Sequence, residues 1–350
     1  MSYEYGRITT PSTGLRLHLN ENTAGCSPKV LAALQALTRE QAAYYPDYDA
    51  VAAAVAERLG VAANEIALTN GLDEGILAAS IVTLRAGSPR EPDEAIVVVP
   101  AFDMYAACAD AVGGRVIEVP LDRDFAFPIA ALKKAITPRT RLIFLTSPNN
   151  PTGLVIPRAQ IVDVALAAPQ AMVFVDEAYA DFTGETLLND RDARRLPNLV
   201  IGRTFAKAYG LAGLRAGALV GQAATLAALR KVIPPYSLNV CAAIALTAGL
   251  EDEEYFRWYL SQVEQSKVKL YEALTRLGIR HWQSAANFVL ADFGDRAPRV
   301  VEGLTARHVF VRDKSRDPAC PGCVRMTTGV VAHTDRLIAA LEEVLCGAAS

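Results

Sequence analysis

Lys207 and Arg215 lie eight positions apart in the run Thr204-Phe205-Ala206-Lys207-Ala208-Tyr209-Gly210-Leu211-Ala212-Gly213-Leu214-Arg215. A lysine in partly apolar surroundings gives up its proton more readily than a solvated one, and the free amine forms an imine with an aldehyde. A guanidinium close by suits a phosphate, which it grips with two parallel N–H bonds. Upstream, residues 171–175 form an apolar run that ends in Asp176-Glu177-Ala178-Tyr179. A second apolar run, 142–145, leads into Ser147-Pro148-Asn149-Asn150-Pro151-Thr152-Gly153. Both runs read as buried parallel strands, and ligands of open α/β sheets sit beyond the carboxyl ends of such strands. Asp176 and Asn150 fall at those ends. Pro151 confines Asn150 to extended geometry, which fixes its side chain.

An anion site is expected where residues 66–69, a strand, run into Asn70-Gly71-Leu72-Asp73-Glu74-Gly75 and a helix. Unpaired N–H groups at a helix start face outward and favour negative charge. An acid beside an anion is unfavourable, so the Asp73 side chain is assigned to capping, and its backbone with those of Gly71 and Leu72 to the anion. Strand 95–99 delivers Pro100-Ala101-Phe102-Asp103-Met104-Tyr105, which puts Tyr105 one turn into a helix, where its ring can lie on a flat ligand.

These residues need a scaffold, and the chain alternates strands and helices from about residue 50 to 345, the pattern of a mainly parallel sheet with crossover helices. Residues 1–27 read as an arm, with a short strand and turn at 17–22. A helix from Pro28 is capped by Ser27, and further helices are expected at 50–59, 128–136 and 158–167. The stretch 233–238 interrupts the pattern and marks the turn towards a second domain. A helix over 252–277 carries Phe256, Tyr259, Val263, Leu270, Leu274 and Leu277 at helical spacing, a stripe that links the lobes. Strands at 287–291, 309–312 and 324–327, with helices at 296–304 and 334–345, complete a smaller α+β lobe. The expected division is an arm (1–27), a large domain (28–245) and a small C-terminal domain (246–350).

Composition narrows the class. The 350 residues are 51% hydrophobic and 21% charged, with a net charge of −3, as in a globular enzyme. No Lys/Arg cluster dominates any segment, so nucleic acid is not an expected partner. No run approaches the ~18 apolar residues that span a bilayer, and the first residues lack a signal-peptide pattern, so neither a membrane partner nor export is expected and the cytoplasm is. Six cysteines are scattered, and Cys320-Pro321-Gly322-Cys323 reads as a turn. No metal-ligand spacing is present among cysteines or the four histidines.

The segments SPNNPTG (147–153), VDEAYADF (175–182) and KAYGLAGLR (207–215), preceded by LNEN (19–22), resemble those of the fold-type I aminotransferases that depend on pyridoxal 5′-phosphate, and most closely the histidinol-phosphate aminotransferase branch. The resemblance implies an α/β fold: a large domain on a mainly parallel seven-stranded sheet, plus the small α+β domain. It implies that Lys207 holds the cofactor and then acts as a base, and that Asp176 pairs with the pyridinium nitrogen. Asn150 and Tyr179 donate to the ring oxygen O3′. Tyr105 lies on the ring, while Thr204, Arg215 and the Gly71-Leu72-Asp73 backbone hold the phosphate. Tyr45 reaches the phosphate of the other subunit, which implies a homodimer with shared sites. Asn22 belongs to the substrate side, Arg325 clamps the α-carboxylate, and Arg312 contacts the substrate's own phosphate. The implied reaction is transamination between an L-amino compound, L-histidinol phosphate, and 2-oxoglutarate, a step of histidine biosynthesis. Three positions depart from the family pattern: Ala206 for serine, Leu72 for serine, and Ala24 for tyrosine. The last leaves room for an aromatic amino-acid aminotransferase, and a phosphothreonine-type decarboxylase shares the scaffold.

Overall fold

The computed structural model describes residues 11, 13–88, 90–122 and 124–346. Among the described residues, twelve strands lie in two sheets: β1 (Leu15–Leu17), β2 (Ile66–Asn70), β3 (Glu94–Val99), β4 (Arg115–Pro120), β5 (Thr140–Thr146) and β6 (Met172–Asp176), then β7 (Leu199–Thr204), β8 (Ala216–Gly221), β9 (Arg280–His281), β10 (Phe288–Asp292), β11 (Val309–Asp313) and β12 (Cys323–Thr327). The larger sheet has the order β2-β8-β7-β6-β5-β3-β4. Its strands pair in parallel except at β8, which is antiparallel to both neighbours. The chain steps outward from β3 to β4, then returns to the other side of β3 with β5. That reversal is the switch point at which α/β sheets open a crevice.

The near-continuous apolar strands are explained by burial on both faces. Successive residues alternate between two cores: Ile143, Leu145, Val173, Val175 and Ile201 pack on one side, and Leu142, Phe144, Phe174 and Val200 on the other. The helices behave as their sequences suggest. Helix Tyr48–Leu59 is capped by the Asp47 carboxylate and stopped by Gly60 in the left-handed region. Helix Arg158–Ala167 matches its expected span.

The smaller sheet has the order β1-β11-β12-β10-β9. Of the expected arm (1–27), residues 1–10 and 12 lie outside the described residues, and the stretch 15–17 is corrected: β1 lies parallel to β11, with Leu17 opposite Val311, so it is the edge strand of the second sheet. Leu15 and Leu17 are buried in that lobe's core, against which a free arm would have been polar or mobile. Helix Val240–Leu250 buries Ala242, Ala245 and Leu246 in the first core, so the expected boundary at 245/246 cuts through a helix of the larger lobe. Helix Glu253–Arg276 joins the lobes. Its buried residues recur at helical spacing from Phe256, which belongs to the first core, to Leu270 and Leu274, which belong to the second lobe's core. No helix among the described residues is long and apolar enough to cross a membrane.

Candidate active site

A cavity of about 360 Å³ opens at the carboxyl ends of β5, β6 and β7, closed on one side by β11, β12 and the segment after β1. Eleven of the residues singled out in the sequence line it: Leu72, Asp73, Tyr105, Asn150, Asp176, Tyr179, Thr204, Lys207, Arg215, Arg312 and Arg325. Gly71, Asn22 and Tyr45 do not.

Asp176 ends β6 and is buried. Its Oδ1 accepts from the Ala178 N–H at 2.8 Å and its Oδ2 from the Tyr105 hydroxyl at 2.6 Å. Burial pushes the carboxyl up to about 6; the bonds from Tyr105 and Ala178 hold it down, the Asp73 charge raises it, and Lys207 lowers it. The Tyr105 hydroxyl in turn accepts from Thr146 Oγ1 at 2.9 Å, and burial followed by the Asp176 charge raises its pKa well above the usual tyrosine range. The Tyr105 ring stacks on Phe144 at 4.9 Å and is 1% exposed. Its expected place flat on a ligand is therefore corrected: it is a core aromatic with its polar tip on Asp176. Phe102, one turn earlier, lines the cavity and meets Tyr105 edge-on at 5.7 Å.

Lys207 stands in a tight loop closed by Gly210, whose φ of +72° and whose approach to the Gly25 carbonyl leave no room for a side chain. Nζ donates to the Leu19 carbonyl at 3.0 Å and lies 5.9 Å from the Tyr179 ring centre. The Tyr179 hydroxyl accepts from Asn20 Nδ2 at 3.0 Å. Asn22, expected on the substrate side, instead donates from Nδ2 to the Ala208 carbonyl at 3.0 Å and accepts from the Ala24 N–H at 2.9 Å. It braces the lysine loop. Asn20 takes the cavity position because its φ of +56° turns the chain between the two asparagines.

At the helix Leu72–Thr83, Gly71 is the capping residue, with φ +74°. Its N–H is taken by the Thr69 carbonyl at 2.9 Å, so it offers no donor to a ligand. Its role is steric: a Cβ there would lie 2.5 Å from Arg215 Nη2. The N–H groups of Leu72 and Asp73 lie in the first turn, where no helical partner precedes them. The Asp73 carboxylate does not cap. It accepts from Arg215 Nη2 at 2.8 Å, a stronger attraction than a cap bond to a neutral N–H. Thr204 Oγ1 accepts from the Ala206 N–H at 3.2 Å beside this cradle.

Arg312 and Arg325 are opposed residues of β11 and β12. Arg325 is buried, donates from Nη2 to the His18 carbonyl at 2.7 Å and from Nη1 to Asn150 Oδ1, and stacks over Phe288 at 5.3 Å. Arg312 makes no ion pair with any described residue. Like charges directly opposite each other on neighbouring strands repel.

Tyr45 is 72% exposed, stacks on Tyr236 at 3.9 Å, and lines a separate open groove of about 570 Å³ with Tyr44, Val240 and Thr247. Cys320 and Cys323 are buried free thiols at a turn, and among the described residues no group of three or more His, Cys, Asp or Glu side chains could hold a metal ion. The sequence did not single out Asn20, Phe102, Asp103, Thr146 and Lys314, all of which line the cavity. Period-2 spacing from Arg312 could have found Lys314; nothing local distinguishes Asn20 from Asn22.

The family model for aminotransferase class I and II matches residues 12–341. A histidinol-phosphate aminotransferase 2 from Carboxydothermus hydrogenoformans is 34% identical over 94% of this chain and 91% of its own length. The protein of the same name from Ralstonia nicotianae is 35% identical over 95% and 89%. Among solved structures, histidinol-phosphate aminotransferase from Sinorhizobium meliloti, in complex with pyridoxal-5′-phosphate, superposes with a TM-score of 0.87 at 27% identity, covering 96% of this chain and 92% of that one. The L-threonine-O-3-phosphate decarboxylase of Porphyromonas gingivalis, at 24% identity and a TM-score of 0.80 over 95% and 99% of the two chains, shares the fold. Matched along nearly its whole length, and with lysine, aspartate, asparagine and arginine gathered at one crevice, the chain belongs to the class I and II aminotransferases, in the branch of the histidinol-phosphate aminotransferases.

Proposed function

We propose that the protein is a pyridoxal-phosphate-dependent aminotransferase that moves the amino group of L-histidinol phosphate to 2-oxoglutarate. One observation carries this: a lysine amine, a buried carboxylate and an arginine-backed helix start line one cavity, opposite two facing arginines. The residues fit the cofactor. A helix start kept open by Gly71 accepts a phosphate, and a buried carboxylate with a titration near pH 6 suits a pyridinium. Bound there, the cofactor supplies an electron sink for the bonding pair at the substrate's Cα.

The protein's own share is positioning and proton transfer. With the cofactor bound, Lys207 would hold its aldehyde carbon, and the lysine amine would serve as the base that moves the proton at the substrate Cα. Asp176, held in place by Tyr105 and Ala178, would pair with the ring nitrogen and keep it protonated. Tyr179 and Asn150 would donate to the ring oxygen O3′. The N–H groups of Leu72 and Asp73, the Thr204 hydroxyl and Arg215 would hold the cofactor phosphate, and Phe102 would wall the ring. Arg325 receives the α-carboxylate of glutamate, and Arg312 the donor's phosphate.

The exposed tyrosines of the second groove support a homodimer, with Tyr45 of one copy completing the phosphate site of the other. The five described cysteines, all thiols, are in keeping with a cytoplasmic enzyme. A panel of amino donors tests the assignment: histidinol phosphate must outperform phenylalanine and plain histidinol with 2-oxoglutarate as acceptor. A single turnover must leave the amine form of the cofactor; release of CO₂ with return of the original spectrum would identify a decarboxylase instead.

A further inference from the structure

Lys314 is a cavity cation that none of the steps above uses. It follows β11 directly and lies two residues beyond Arg312, so the two side chains leave the strand on the same face. The Lys314 side chain is only 11% exposed. Its Nζ lies 3.2 Å from Asp317 Oδ2, in the same hairpin, and 4.0 Å from Asp103 Oδ1, across the cavity mouth in the other lobe. Asp103 precedes helix Met104–Ala111 but its carboxylate makes no capping bond there.

An ammonium has three N–H donors and a guanidinium five. The bond to Asp317 uses one of Lys314's, and 4.0 Å is too long for a second hydrogen bond. None of Arg312's donors is bonded to a side chain or carbonyl of a described residue. Two cations with spare donors therefore share one end of the cavity, with an acid from the opposite lobe held loosely against one of them.

We infer that Lys314 is a specificity residue: together with Arg312 it binds the phosphomonoester group of the amino donor, which displaces Asp103 from the lysine. The inference rests on the function proposed above and adds the residue that reads the donor's tail. A carboxylate entering this place replaces one negative charge with another and gains little. A phosphomonoester carries close to two negative charges near neutral pH and is attracted about twice as strongly. Asp103 thus sets a threshold that a dianion clears and a monoanion does not.

The test measures kcat/KM for L-histidinol phosphate and for L-histidinol with the holoenzyme, its Lys314→Met and Lys314→Arg variants, and Asp103→Asn. The preference for the phosphorylated donor falls by at least ~10-fold in Lys314→Met, since a charge-assisted contact is lost, and Lys314→Arg recovers most of it. Asp103→Asn raises kcat/KM for glutamate. A Lys314→Met enzyme that weakens both donors alike, or neither, overturns the inference while the proposed function stands. A wild type without preference for the phosphorylated donor overturns both. Should Lys314→Met fail to fold, competitive inhibition by inorganic phosphate decides: it tightens in Asp103→Asn, and an unchanged inhibition constant refutes the displacement.

Discussion

Asp176 shows how one side chain is tuned by its neighbours. Its carboxyl titrates near 6 because it is buried, and the Tyr105 hydroxyl and Ala178 N–H keep it from rising further. Below that pH the site holds a neutral acid and above it a carboxylate, so affinity for a pyridinium ligand falls as pH is lowered through 6. Titration of cofactor binding by fluorescence across about two pH units on either side of 6 checks this, and Asp176→Asn removes the inflection. The same shift acts on the fold. The native state holds this proton more tightly than the unfolded chain, so the group's stabilisation is complete below ~4 and is lost as pH rises through about 6. Tyr105→Phe keeps the ring on Phe144 but removes the bond to Asp176. Cofactor affinity is expected to drop by roughly 10-fold, the worth of a hydrogen bond to a charged group, with the melting temperature little changed. Such residue-level contacts were half legible in the sequence. A strand-end aspartate announces itself by the apolar run before it, whereas the choice between Phe102 and Tyr105 as the cavity aromatic depends on which side of a helix start each ring leaves.

At the scale of elements, the cradle and the lysine loop each depend on backbone that side chains would obstruct. Gly71→Ala places a Cβ on the Arg215 guanidinium at a φ of +74° and a ψ of 166°, a region open essentially only to glycine, and costs about 1–3 kcal/mol for the conformation alone. Urea unfolding reads that loss, and cofactor affinity falls with it because Arg215 must move. Asn22→Ala removes the brace on Ala208 and costs about 1 kcal/mol. Its signature is a lower melting temperature with substrate KM unchanged; a raised KM would return Asn22 to the substrate side. The helices and parallel strands were readable because periodicity and caps are local. The pairing of β1 with β11 was not, because no local pattern reports a partner strand far along the chain. The boundary at 245/246 failed for a related reason: helix Val240–Leu250 is apolar nearly all round, and such a pattern does not say which lobe buries it.

Across the whole molecule, the cavity is shared between lobes. The larger sheet supplies Asp176, Lys207 and the cradle, and the smaller supplies Arg312, Lys314 and Arg325. Helix Glu253–Arg276, packed in both cores, is the member that holds them in register. A Leu274→Ala variant is expected to lose ~2–5 kcal/mol, detected by denaturant unfolding, and to weaken substrate binding more than cofactor binding, because it loosens the lobe that carries the arginines. Sedimentation of the wild type and of Tyr236→Ala reports whether the exposed tyrosine groove joins two copies: the variant shifts towards monomer.

Asn20 bonds through its N–H to Thr327, 307 positions away, and Leu17 lies against Val311. During synthesis, then, the first-made segment must wait unpaired until the last strands leave the ribosome, while the larger lobe is free to fold beforehand. Chains cut short before β12 would carry Lys207 but neither Arg325 nor a docked Asn20. The fold thereby withholds a working site from unfinished copies.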